Sequence, residues 1–368
     1  MAPSNRFTVT RSASPLSDAR REAMLTNPGF GRVFTDHMVT IEWTGDRGWH
    51  DARVRPREPF TIDPASAVLH YAQEIFEGMK AYRRKDGAVM LFRPDRNAAR
   101  FNMSARRMAM PEIPEELFLE AIEQIASIDR NWIPHDGGSL YLRPFMFAND
   151  VFLGVRPAGR YVFCVIASPA TAYFKGGDTA LTLWVSDEYC RAAPGGTGAA
   201  KCGGNYAASL AAQAEAVENG CDQVVFLDAA ERKWVEELGG MNIFFVMRNG
   251  KVITPPLGTI LPGITRASII DLARSAGHEV VETPYGIDDW RQDAASGALE
   301  EVFVCGTAAT VVSVGQVRSR TGNFSIGQGK GGPLSMRLRD ALLQIQQGEG
   351  ADPFNWCRPV EMLSDKPE

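Results

Sequence analysis

The chain has 368 residues, enough for two cores at roughly 100 to 200 residues per domain without a metal or disulfide staple. Its 45% apolar and 23% charged residues, with 35 Gly and 22 Pro, exclude disordered, collagen-like and coiled-coil classes. Lys plus Arg number 39 against 44 for Asp plus Glu, and a net charge of -5 leaves no electrostatic footprint for nucleic acid or an anionic membrane.

In chain order, β-rich runs come first: Val33 to Trp43, then Lys80 to Phe92 broken by the turn pair Asp86-Gly87. Helical periodicity predicts helices over Ala65 to Glu77, Asp95 to Arg107 and Glu115 to Arg130, followed by strands at Ser139 to Phe147 and Arg160 to Ala167. This first α+β unit covers residues 1–170. Pro and Gly punctuation from Ser168 to Asp178 marks a connector, residues 171–183, and the second domain is expected over 184–368. There Leu181 to Ser186 reads as a strand. Asn205 is the expected cap of a helix with apolar face Leu210, Ala214 and Val217, ended by Gly220. Strands follow at Gln223 to Leu227, Asn242 to Met247 and Lys251 to Thr254, the last two joined by Asn249-Gly250. Thr265 is the expected cap of a helix to Ser275, Glu301 to Cys305 is a buried strand, and Leu334, Leu338, Ala341 and Ile345 stripe a last helix. Antiparallel hairpins exclude a simple doubly wound sheet.

Cys164, Cys190, Cys202, Cys221, Cys305 and Cys357 are dispersed and form no CxxC, which predicts reduced thiols, a cytoplasmic location and no metal site. The least charged stretch, Tyr161 to Phe174, contains a proline and is shorter than the roughly 18 residues that span a bilayer.

The most informative segment is GGTGAAKCGGNY, residues 195–206, a lysine flanked on both sides by glycine-rich backbone. As a phosphate loop it fails twice: the register gives Ala200-Lys201-Cys202, without the last glycine or the magnesium-binding hydroxyl. The segment is either a mobile glycine loop with a solvated lysine or the setting of a Schiff-base lysine, which needs room for a bulky cofactor and a desolvated amine; these glycines supply the room. Tyr206 either packs or aims its phenol at a cofactor oxygen. In VEELGGMN, residues 235–242, Glu236 and Glu237 must point to opposite faces, so only one can meet a site; a carboxylate facing a pyridine nitrogen makes the ring an electron sink, and otherwise both are solvated. LPGITR (261–266) either simply caps its helix or offers backbone donors to a phosphate, CGTAAT (305–310) offers a second cluster of such donors, and Arg100 can pair with the same anion or lie on the surface.

Taken in order, FEGMKAYR (76–83), LFRPDRNAAR (91–100), YLRPF (141–145), GGTGAAKCGGNY, EELGGMN, LPGITR and CGTAA resemble the branched-chain amino acid aminotransferases, which are class IV aminotransferases of fold type IV, over roughly residues 28–357. The resemblance implies an α+β / α/β enzyme of two domains with largely antiparallel sheets, its active site at the domain and dimer interface of a homodimer. It implies pyridoxal 5'-phosphate as an internal aldimine on Lys201, with Tyr206 on the phenolate oxygen and Glu237 on the ring nitrogen. Arg100, the Ile264 and Thr265 backbone, and Thr307 would hold the phosphate. Phe30, Tyr71, Phe76 and Tyr141 match the apolar side-chain pocket. Arg143 with Tyr141 matches the distal-carboxylate site for glutamate, and Ala308 and Ala309 the α-carboxylate site. Tyr173 falls in the interdomain loop, and residues near Tyr71 would reach across from the partner subunit. The implied reaction is reversible ping-pong amino transfer between L-leucine, L-isoleucine or L-valine and 2-oxoglutarate. Mammalian members carry a redox CxxC where this sequence has Ala309 and Val312, so thiol regulation of that kind is not expected. D-amino acid aminotransferases and aminodeoxychorismate lyases lack the FEGMKAY and GGMN pattern. A nucleotide-binding protein would need the phosphate loop that fails here, and a purely structural dimer has no need of Lys201, Tyr206 and Glu237 at this spacing.

Overall fold

A computed structural model describes residues 6–135, 137–171 and 180–362. The chain divides into two compact units, Met1–Tyr173 with Ile345–Glu368, and Phe174–Gln344.

In the first unit the strands are β1 (Thr8–Val9), β2 (His37–Thr44), β3 (Gly48–Pro56), β4 (Glu74–Phe76), β5 (Met79–Arg83), β6 (Val89–Phe92), β7 (Ser139–Ala148) and β8 (Arg160–Ala170). They form one sheet in the order β1-β3-β2-β8-β7-β5-β6, with β4 beside β7, and every pairing except β1 with β3 is antiparallel. The helices are α1 (Asp18–Leu25), α2 (Ala67–Tyr71), α3 (Pro94–Arg107) and α4 (Glu115–Ile128). Alternation along β8 turns Phe163 toward α3 and α4, where its ring meets Phe101 at 5.5 Å and Phe118 at 5.7 Å, so the apolar faces of both helices close on the sheet. At Asp86-Gly87 the β5–β6 turn forms as its residues dictate: Gly87 takes φ +86° and the Asp86 carboxylate accepts the Ala88 N–H.

One predicted helix is cut short. Instead of running from Ala65 to Glu77, α2 ends at Tyr71 because Ala72 turns left-handed at φ +47°, and Glu74–Phe76 then pairs with β7. The helical period there is real, but the ladder on β7 satisfies the backbone and wins.

The second unit holds β9 (Leu181–Ser186), β10 (Gln223–Leu227), β11 (Val235–Leu238), β12 (Asn242–Met247), β13 (Val252–Thr254), β14 (Val280–Glu282), β15 (Leu299–Gly306), β16 (Thr310–Arg318) and β17 (Phe324–Ser325). Their order is β11-β10-β9-β16-β15-β12-β13-β14, with β17 on β16, and the sheet is mixed: β9 lies parallel to both β10 and β16, and β13 to β14. The helices are α5 (Gly203–Glu218), α6 (Ile264–Ser275), α7 (Ile287–Ser296) and α8 (Pro333–Gln347), whose last residues count with the first unit. Trp290 on α7 is fully buried against Phe245, 5.0 Å between rings, at the centre of this core.

Three expectations for this unit need correction. Asn205 does not cap α5, which starts at Gly203 after Cys202; its amide donates to the carbonyls of Thr197 and Ala200, both at 2.8 Å, and so braces the lysine loop. Leu210, Ala214 and Val217 face outward, while Ala212 and Ala216 pack with Trp184 and Phe226. The helix is alanine-rich all round, so periodicity does not decide which side is buried. Thr265 is the second residue of α6, and Gly263 is the cap. In addition, β18 (Cys357–Pro359) pairs antiparallel with β6, which places the C-terminal segment with the first unit rather than the second. The expected connector 171–183 includes the start of β9, and Tyr173 lies outside the described residues. All six cysteines are free thiols, and no described helix is long and apolar enough to cross a membrane.

Candidate active site

In the second unit, the segment ahead of α5 presents Lys201 with its Nζ 2.9 Å from the Tyr206 hydroxyl. Two glycines make the close approaches: a Cβ on Gly198 would lie 2.0 Å from the Thr259 carbonyl, and one on Gly263 would lie 2.1 Å from Asn242 Oδ1. Neither position accepts any larger residue without moving backbone or a buried amide.

Both glutamates of β11 are buried, Glu236 at 8% and Glu237 at 2% exposure, so neither is solvated as their charge alone suggests. Glu237 Oε1 lies 2.6 Å from Arg191 Nη1 and accepts the Leu261 N–H at 2.9 Å, while Oε2 accepts from Asn242 at 3.2 Å. Burial pushes the Glu237 carboxyl up to about 7, against the pull of Arg191, the Leu261 N–H and Lys201. Asn242 also donates to the Leu261 carbonyl at 3.1 Å, which fastens the segment leading into α6. Ile264 and Thr265 open α6, where backbone N–H groups have no partner within the helix and the dipole favours an anion. Thr307, Ala308 and Ala309 form the turn between β15 and β16. The end of β15 that leads into this turn packs on the residues after β11: a Cβ at Gly306 would sit 3.4 Å from the Gly240 carbonyl, and one at Gly240 would sit 3.7 Å from the Tyr206 ring. The structure thus brings together Lys201, Tyr206, Glu237, the start of α6 and the 307–309 turn. A flat, anionic, phosphate-bearing ring with a basic nitrogen fits this donor set: an amine, a phenol, a buried carboxylate and a helix N-terminus.

In the first unit, Phe30, Phe76, Tyr141 and Arg143 form one cluster. Phe30 meets Tyr141 edge-on at 4.9 Å, Arg143 donates to the Tyr141 hydroxyl at 3.1 Å, and its guanidinium lies 4.8 Å from the Phe76 ring centre. Arg100 on α3 is held by Glu77, which accepts from Nε at 2.7 Å and Nη2 at 2.8 Å. Tyr71 is not brought to this cluster: it is 36% exposed on α2, and its hydroxyl donates to the Leu153 carbonyl.

Sequence reasoning missed Arg191, Asn242, Glu77 and Lys80. Arg191 sits in the CRAAP segment with no motif of its own, and Glu77 has no local signal beyond its place in FEGMKAYR. Lys80 is opposite Tyr141 in the β5–β7 register, hence on the same face of the sheet, and burial pulls its ammonium down to about 8.

The second unit presents a lysine–tyrosine pair beside a buried carboxylate, and the first unit presents an arginine–aromatic cluster. Residues 74–317 match the family model for amino-transferase class IV. Branched-chain-amino-acid aminotransferases of Mycobacterium tuberculosis (strain CDC 1551 / Oshkosh) and transaminase 1 of Bacillus subtilis (strain 168) are similar, at 56% and 48% identity. The alignments cover 95% and 90% of this chain and 97% and 94% of those proteins. Among solved structures, the Escherichia coli branched-chain amino acid aminotransferase aligns with TM-score 0.72 and 30% identity over 87% of this chain and 99% of its own. The branched-chain amino acid aminotransferase from Thermobaculum terrenum, in its PLP-form, aligns with TM-score 0.70 and 27% identity over 88% of this chain and 98% of its own. The chain belongs to the class IV aminotransferases and, within them, to the branched-chain-amino-acid aminotransferases.

Proposed function

We propose that the protein exchanges the amino group of L-leucine, L-isoleucine or L-valine with 2-oxoglutarate, in two half-reactions that share one pocket. The observation that carries this is the Lys201–Tyr206 contact beside the buried Arg191–Glu237 pair. Lys201 is the covalent anchor of pyridoxal 5'-phosphate, Tyr206 meets its phenolate oxygen, and Ile264, Thr265, Thr307 and Arg100 bind its phosphate. When bound, the cofactor supplies an electron sink for the bond between Cα and its hydrogen.

The remaining work belongs to side chains. The Lys201 amine takes the Cα proton and redelivers it, and the Tyr206 hydroxyl holds that amine in line. Glu237 keeps the ring nitrogen protonated, and Arg191 opposes the burial that would otherwise neutralise Glu237. Ala308 and Ala309 offer backbone N–H groups to the α-carboxylate. Phe30, Phe76 and Tyr141 give an isobutyl chain dry walls, Arg143 takes the distal carboxylate of glutamate, and Tyr71 serves the partner subunit's pocket. The enzyme acts as a homodimer in the cytoplasm. Its six free thiols suit a reducing compartment, and the exposed Leu69, Val151, Leu153 and Val155 suit a subunit contact.

The test is the visible spectrum of the purified protein before and after amino acid, with Lys201→Ala alongside. A coloured protein bleached by L-leucine and not by D-leucine, with no response in the variant, is the expected result. A colourless protein that pyridoxal phosphate does not reconstitute refutes the assignment.

A further inference from the structure

Glu236 and Glu237 are neighbours on β11 and so point to opposite faces of the sheet. Glu237 meets Arg191 and Leu261 on one side. Glu236 lines a cleft of about 450 Å³ on the other, within the second unit, walled by Trp234, Pro255, Pro256, Leu257, Ile260 and Pro284. That volume is in the range of small-molecule sites.

The cleft holds a carboxyl with little compensation from the protein. Glu236 is buried to 8% exposure, and its one hydrogen bond among the described residues comes from the Thr259 hydroxyl onto Oε1. A second acid lines the wall, Asp228, but it accepts the backbone N–H groups of Ala230, Glu231, Lys233 and Trp234. No Lys, Arg or His is among the lining residues described. Buried carboxylates are ordinarily paired or fully hydrogen-bonded, because stripping one of water without compensation costs more than packing returns. Burial and the nearby Asp228 both raise the Glu236 pKa, and only the Thr259 hydroxyl and the more distant Arg191 oppose them.

We infer that this cleft binds a small organic cation, an ammonium on an apolar body, with Glu236 as counter-ion and Trp234 and the proline rings as walls. An anion would meet two carboxyls and no basic side chain. A hard divalent metal wants six or more oxygens, and the cleft supplies one carboxylate not already committed. A neutral apolar ligand would leave Glu236 as uncompensated as before. Trp234 already takes a cation on its ring, the Lys233 ammonium at 4.3 Å from the centroid.

The cleft also shares a wall with the catalytic site. Thr259 bonds Glu236, Leu261 bonds Glu237, and Gly198 of the lysine loop rests on the Thr259 carbonyl.

The probe is benzyltrimethylammonium, whose quaternary nitrogen cannot condense with an aldehyde, titrated calorimetrically into the holoenzyme. The expected result is one saturable site per chain, weakened about tenfold or more by Glu236→Gln and also by Trp234→Leu. Binding should persist when L-glutamate and 2-oxoglutarate saturate the catalytic pocket, and both variants should keep wild-type transamination. Absence of a saturable site, wild-type affinity in both variants, or displacement by the two substrates overturns the proposal. If Glu236→Gln does not fold, Trp234→Leu decides alone.

Discussion

Each unit buries an arginine–glutamate pair, and the two pairs are completed differently. In the first unit Glu77 is surrounded: Arg100 reaches it twice, Asn97 donates at 2.7 Å and the Gly78 N–H at 3.1 Å. In the second, Arg191 and Leu261 both reach Oε1 of Glu237, and Oε2 has only the 3.2 Å bond from Asn242. A carboxylate offers about four acceptor positions. Glu77 receives four donors, three of them on Oε2, and this dense set of bonds holds Arg100 in place. Glu237 keeps capacity on one oxygen, as a group must if it is to meet something that arrives later. On the function proposed above, similar chemistry serves as a brace in the first unit and as a contact in the second, and the number of donors around it distinguishes them.

The largest expected effect falls on Lys201. Lys201→Ala should lower kcat about ten-thousand-fold or more while leaving thermal stability near wild type, measured by steady-state assay and calorimetry.

The comparison itself is tested by the pair of glutamates. Glu77→Ala should cost about 3 to 5 kcal/mol of folding stability, since it strands a buried guanidinium. Glu237→Gln should lower kcat about 10²- to 10³-fold with a stability change under about 1 kcal/mol. If both variants lose stability equally and activity equally, the distinction between brace and contact fails.

A third prediction concerns Lys80, whose folded pKa of about 8 lies below the ordinary 10.5. Between those values the unfolded chain holds more protons than the folded one, so this residue's contribution to stability rises with pH across that window. The wild type should therefore gain up to roughly 3 kcal/mol relative to Lys80→Met between about pH 8 and 10.5, read from urea midpoints. A flat difference would show that the ammonium is not desolvated.

The smallest effect is selective. Arg143→Ala should raise KM for L-glutamate about 10- to 100-fold, the loss of a charged hydrogen bond, and change that for L-leucine less than about threefold. Equal losses would remove Arg143 from the distal-carboxylate role.

Much of this was legible in the chain because it is local. Asp86-Gly87 and Asn249-Gly250 specify their turns through the dihedral freedom of one glycine and one short side chain, and both lie where hairpins form. The glycine-flanked lysine, the tyrosine five residues on and the extended strand that sends two glutamates to opposite faces are also short-range facts. What the chain could not disclose depends on residues distant in sequence. Arg191 has no motif, and it matters only because folding sets it against Glu237. Lys80 becomes unusual only when β5 pairs with β7 and takes it out of water. The fate of Ala65 to Glu77 turned on a ladder with β7, the outward face of α5 on which small side chains found Trp184 and Phe226, and the place of the C-terminal strand on the edge of β6. Local sequence determines dihedral angles and periodicity, whereas register, burial and desolvation are properties of the partner strand or helix, which only the tertiary structure brings alongside.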